Sequence, residues 1–71
     1  MEKSEAVELA SDFARREGYD IGRYNIEAAK KDVRWEIYFQ RKSADKPRPG
    51  DFFTVYVDDG SSTVQRLIPG K

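Results

Sequence analysis

From Val33 to Phe39 the chain alternates with a period of two: Val33, Trp35, Ile37 and Phe39 are apolar, and Arg34, Glu36 and Tyr38 fall between them. That period marks a strand with one buried face. It holds the only tryptophan of the chain, which predicts that this strand runs through the centre of the core. Asp51 to Asp58 repeats the pattern, with Phe53, Val55 and Val57 on one face and Phe52, Thr54 and Tyr56 on the other. Antiparallel pairing of the two sets Phe39 opposite Phe53, Ile37 opposite Val55 and Trp35 opposite Val57. The same register brings Arg34 to Asp58 and Glu36 to Tyr56, so apolar meets apolar and opposite charges meet. A slip of two residues keeps the same faces, so alternation alone leaves the register open.

The remaining segments supply a cover and two more strands. Ser4 to Glu17 reads as a helix, with Ala6, Leu9, Ala10, Phe13 and Ala14 on one stripe and Val7 at its margin. Ser4 is the expected N-cap. Glu5 and Glu8 suit the positive end of the helix dipole, Arg15 and Arg16 the negative end. Gly18 follows where a left-handed residue commonly stops a helix. After a connector at Tyr19–Gly22, Arg23–Ala29 alternates as a first strand, although its Ala-Ala-Lys-Lys continuation also suits a short helix. Lys30-Lys31-Asp32 reads as the turn into the tryptophan strand. Arg41–Gly50, with Pro47, Pro49 and Gly50, reads as a loop. Asp58–Ser62 contains Asp-Gly, a hairpin signal, with Asp58 placed to cap the amides ahead of it. Thr63–Ile68 is the last strand. Its Val64, Leu67 and Ile68 do not share one parity, which calls for a bulge or a frayed end. The expectation is a single α+β domain over residues 1–71: one N-terminal helix packed on a four-stranded antiparallel meander, in two layers.

Composition narrows the chemistry. Seventy-one residues make one domain, and a chain of this size buries only roughly 60% of its unfolded surface. It has no cysteine, so neither a disulfide nor a thiolate metal site contributes. It has no histidine, which excludes Ser-His-Asp and Cys-His catalysis and the commonest neutral metal ligand. Thirteen basic and thirteen acidic residues balance to zero, against the basic total expected of a nucleic-acid binder. The charge is uneven, because residues 30–48 hold seven Lys and Arg against Asp32, Glu36 and Asp45. No apolar run approaches the roughly 20 residues of a membrane span. The polar start Met1-Glu2-Lys3-Ser4 lacks a signal-like apolar region. The chain as written therefore reads as cytoplasmic, with a trimmed, exported form equally compatible.

The order of the motifs resembles a known group. A helix carrying Ala6, Ala10 and Phe13 precedes Trp35-x-Ile37-x-Phe39, then Gly50-Asp51-x-Phe53-x-Val55-x-Val57-Asp58 and a closing Val64. This pattern is similar to the small PepSY-type and cystatin-like domains of bacteria, in which one helix lies across an antiparallel meander. In that group the last hairpin typically reads Val-Asp, two residues, Thr-Gly, one residue, Val. Asp58, Ser61 and Val64 match. Ser62 stands where the group has glycine, and Gly60 is expected to take over the tight position. The ending Ile68-Pro69-Gly70-Lys71 also resembles the Gly-Lys ending of small bacterial immunity proteins of α+β fold. The resemblance implies a non-enzymatic module, with a restraining or binding role toward peptidases as one form of it. It carries no catalytic residue over.

Candidate sites follow from the faces. Tyr38, Phe52 and Tyr56 fall on the sheet face opposite the core set, where a single helix leaves them uncovered. Clustered exposed aromatics mark binding surfaces; the plainer account packs them among the stems of Arg34 and Arg66, or under a dimer partner. Arg34 and the basic loop Arg41, Lys42, Lys46 and Arg48 border this face and suit an acidic partner. Stacking of single-stranded nucleic acid on such a face is outweighed by the neutral charge. Asp58 and Asp59 read as turn caps, because the further ligands of a calcium loop are missing. Glu36 and Asp58 as a hydrolytic carboxylate pair would be matched by any two strand acids. The functional expectation is a small non-enzymatic protein-binding or regulatory module with an unspecified protein partner, without cofactor or metal. A peptidase inhibitor or immunity-type protein is the alternative, and a homodimer is compatible with either.

Overall fold

The computed structural model describes residues 1–42 and 51–69. Helix α1 (Lys3–Arg16) is followed by a 3-10 turn at Ile21–Arg23 and four strands: β1 (Tyr24–Lys31), β2 (Arg34–Arg41), β3 (Phe52–Asp58) and β4 (Thr63–Pro69). The strands form one antiparallel sheet in the order β1-β2-β3-β4, with α1 packed on one face. This is the two-layer α+β meander. The β2–β3 register joins Phe39 to Phe53, Ile37 to Val55, Trp35 to Val57 and Arg34 to Asp58. Residues 43–50 of the expected loop lie outside the described residues, while Arg41 closes β2.

The core is a layer of large sheet residues under small helix residues. Ile37, Phe39, Phe53, Val55 and Val57 are buried with Ala6, Ala10 and Ala14, and Trp35 closes one end. Alanine at three positions four apart lets the helix backbone approach the sheet, because only methyl groups stand between them. Phe39 and Phe53 stack with ring centroids 4.6 Å apart, and Tyr19 covers Phe53 at 4.1 Å. Fully burying one such aliphatic or aromatic side chain contributes about 1.5–3 kcal/mol.

The helix stripe differs from the expected one at its edge. Ser11 is buried, and Val7 and Leu9 pack against the core, whereas Phe13 is half-buried and lies outside the core cluster. The Ala6–Ala10–Ala14 row sets the contact line, and Phe13 falls to its side. The N-cap is Glu2, whose amide donates to the Glu5 carboxylate at 3.3 Å. Ser4 already lies inside the helix. The C-terminus ends as its sequence predicts. Gly18 has φ +97°, its amide donates to the Arg15 carbonyl at 3.0 Å, and the Tyr19 amide to the Ala14 carbonyl at 3.0 Å. Those two bonds make a Schellman motif, which turns Tyr19 back over the aromatic core.

The two hairpins also depart from expectation. β1 runs through Lys30 and Lys31, so the first turn shrinks to Asp32-Val33, with Lys31 paired to Arg34. Val33 sits at the tip, 68% exposed, and leaves the buried face to Trp35, Ile37 and Phe39. Asp32 takes φ +56°, a conformation its short polar side chain tolerates better than most. In the second hairpin the left-handed position is held by Ser62, φ +55°, and not by Gly60. A bulge in β4 at Gln65 shifts the ladder, so that Val57 pairs with Val64 and Tyr56 with Arg66. This resolves the broken parity: Val64 and Leu67 face the core, and Arg66 and Ile68 face outward.

Candidate protein-binding surface

The period of the strands puts Arg34, Glu36, Tyr38 and Gln40 of β2 on the face away from α1, beside Phe52, Thr54 and Tyr56 of β3. Among the described residues no helix lies over this face. The three aromatics do not form one cluster. Tyr38 and Phe52 lie diagonally across the β2–β3 ladder, with ring centroids 6.4 Å apart. Tyr56 is held separately between two guanidinium groups, the packing that the plainer account of this face expects: Arg34 sits 4.7 Å and Arg66 5.5 Å from its ring centroid. Arg34 reaches Tyr56 diagonally, because its direct pair Asp58 is two residues further along β3; Arg66 reaches it because the bulge puts the two directly opposite. Thr54 separates the halves, and Ile68, 38% exposed, stands opposite it on β4.

The charges of this face are mixed. Glu36 accepts from Arg34 at 3.4 Å and lies 3.6 Å from the Lys31 ammonium. Arg66 touches only the Tyr56 ring among the interactions of the described residues, so its guanidinium donors remain open to a carboxylate. A half-buried aromatic ring clamped by arginines, next to an aromatic pair and an exposed isoleucine, offers both apolar area and directed donors.

The other basic residues expected at this face stand elsewhere or outside the described region. Arg41 follows the core parity of β2. It pairs with Asp51 at 3.5 Å and lines a shallow depression with Gly18, Tyr19, Asp20, Arg23 and Tyr24, at the C-terminal end of α1. Burial raises the Tyr24 phenol above its ordinary value, and the charge of Arg41 opposes that shift. Lys42 is exposed and donates its amide to the Arg23 carbonyl at 2.9 Å. Arg48 and Lys46 lie outside the described residues.

The two aspartates of the second turn are structural, and their jobs differ. Asp58 accepts from the Ser61 hydroxyl at 2.6 Å and from its amide at 2.8 Å, and these bonds hold its carboxyl below the ordinary value. Asp59 shares the parity of Val57, which carries its side chain to the core side. There it accepts the Trp35 indole N–H at 3.0 Å and lies 3.7 Å from the Lys30 ammonium and 3.5 Å from the Met1 amine. The indole bond is the main cause of its lowered pKa, with the Lys30 charge acting in the same direction. No helix among the described residues is long and apolar enough to cross a membrane.

Fold and surface together define a small two-layer α+β domain with one sheet face covered by α1 and the other without a helix over it among the described residues. No family model, curated protein or solved structure matches the chain.

Proposed function

We propose that the chain is a small non-enzymatic protein-binding module whose contact surface is the outer sheet face. The observation that carries this reading is the Arg34–Tyr56–Arg66 sandwich beside the Tyr38–Phe52 pair, on the face that α1 leaves open. Tyrosine and arginine are the side chains that concentrate binding energy in protein interfaces, because they bury large area while keeping polar contacts. The partner surface fitting this face carries apolar side chains beside a carboxylate, the carboxylate meeting Arg66. The resemblance to PepSY-type domains, which bind or restrain peptidases, agrees with a module of this kind. The absence of histidine and cysteine removes the usual nucleophile–base pairs and supports the non-enzymatic assignment.

The test is affinity purification from native lysate with the wild-type chain and with a Tyr38→Ser/Tyr56→Ser variant. The variant is expected to keep its circular-dichroism spectrum and to lose the specific partner. Retention of the same partner at the same yield, with the spectrum unchanged, sinks the proposal.

A further inference from the structure

We infer that the outer edge of β1 over Ile26–Lys31 pairs with the same edge of a second copy, making a two-fold dimer with one continuous sheet. Among the described residues the strand order β1-β2-β3-β4 leaves β1 and β4 as the two edges. β4 is protected against further pairing: it carries the bulge at Gln65 and ends in Pro69. β1 has neither device. Its eight residues pair with β2 without a register shift.

The main chain of β1 fixes which residues offer bonds at that edge. The Arg23 carbonyl accepts from the Lys42 amide at 2.9 Å, so residues in step with Arg23 direct their main chain toward β2. In an antiparallel ladder the alternate residues direct theirs the other way. Ile26, Ala28 and Lys30 therefore turn their N–H and C=O groups outward.

Charge selects the occupant and the register. A two-fold axis at Ala29 places Ala29 against Ala29 and lets Ala28 and Lys30 exchange main-chain bonds with their counterparts. It sets Glu27 opposite Lys31 of the second copy, twice. An axis at Glu27 instead opposes two glutamates, and an axis at Lys30 opposes two lysines. An axis at Ala28 leaves Glu27 facing an alanine. Glu27 makes no ion pair within its own chain among the described residues, and Lys31 holds Glu36 only at 3.6 Å near the exposed end of the strand. The small side chains of Ala28 and Ala29 leave room for Lys30 and for the close pair at the axis. The dimer joins the two outer faces side by side, and it does not depend on which partner those faces bind.

The test is the mass of the full chain by size exclusion with light scattering over a concentration series. The variants are Glu27→Lys, Lys31→Glu and the double reversal, with circular dichroism as the control for folding. The wild type is expected to reach the mass of two 8.2 kDa chains. Each single reversal puts like charges opposite twice and should raise the dissociation constant about tenfold. The double reversal should restore it, and an equimolar mixture of the two single variants should form mixed dimers. A wild type that stays monomeric up to its solubility limit overturns the inference. So does a dimer indifferent to the single reversals, or one rescued neither by the double reversal nor by mixing.

Discussion

Trp35 donates its indole N–H to the Asp59 carboxylate at 3.0 Å, across 24 residues of sequence. The bond ties the start of β2 to the β3–β4 turn. The Asp59 amide adds a second tie, donating to the Val33 carbonyl at 2.9 Å, so the turns of both hairpins are held together. Lys30 completes the corner, with its ammonium 5.9 Å from the Trp35 ring centroid and 3.7 Å from Asp59. A buried donor of this kind is costly to strand without an acceptor. Asp59→Ala should therefore lower Tm more than Asp59→Asn, whose amide oxygen still accepts from the indole. Equal melting temperatures for wild type and Asp59→Ala, measured by circular dichroism, would show the bond to be idle.

The same carboxylate sets a pH dependence. Its folded pKa lies below the ordinary value of 3.8, so folding favours the ionised form. The stability it contributes is complete above that ordinary value and is lost as pH falls through the lower, folded pKa. Asp58 acts with the same sign. Wild-type stability should drop on acidification below about pH 4, and Asp59→Asn should show a shallower drop. Urea titrations between neutral pH and pH 2, followed by tryptophan fluorescence, read both slopes.

Ser62 is the residue most open to improvement. A left-handed backbone costs a residue with a Cβ about 1–2 kcal/mol, while glycine loses about 0.5–1 kcal/mol through its extra freedom in the unfolded chain. Ser62→Gly should therefore stabilise by about 0.5–1 kcal/mol. Gly60→Ala should be nearly neutral, because φ there is not positive and the added carbon would meet only Asp58 Oδ2 at 3.6 Å. Gly18→Ala should cost about 1 kcal/mol, since φ is +97°. Denaturant midpoints of the three variants give the ranking. A destabilised Gly60→Ala together with a destabilised Ser62→Gly would reverse the assignment of the turn.

The core should respond to volume from both layers. Ile37→Val should cost about 0.5–1.5 kcal/mol by leaving a methylene-sized void. Ala10→Leu should cost about 1–3 kcal/mol, because the helix lies too close to the sheet for a larger side chain. Val33→Ala, at the hairpin tip, should stay within about 0.5 kcal/mol of wild type, although it shares the parity of Trp35. Urea unfolding separates these cases.

Alternation and charge determined much of this protein in advance. The faces of β2 and β3, the Gly18 stop and the cap role of Asp58 all follow from local spacing, because parity and turn chemistry act over a few residues; the β2–β3 register, open to a two-residue slip by alternation alone, is settled by the fold. The open outer face was legible for the same reason, through Tyr38, Phe52 and Tyr56. Tertiary structure decided the rest. The helix rotation that moves Phe13 aside depends on how three alanines meet the sheet. Val33 is exposed because the hairpin turns there, one residue later than the lysine pair suggests. Arg66 reaches Tyr56 only because the bulge at Gln65 reverses the parity of β4, and broken alternation signals a bulge without fixing its consequence. Asp59 becomes the acceptor of Trp35 only when two hairpins close side by side. Such contacts join residues distant in sequence, and no local period encodes them.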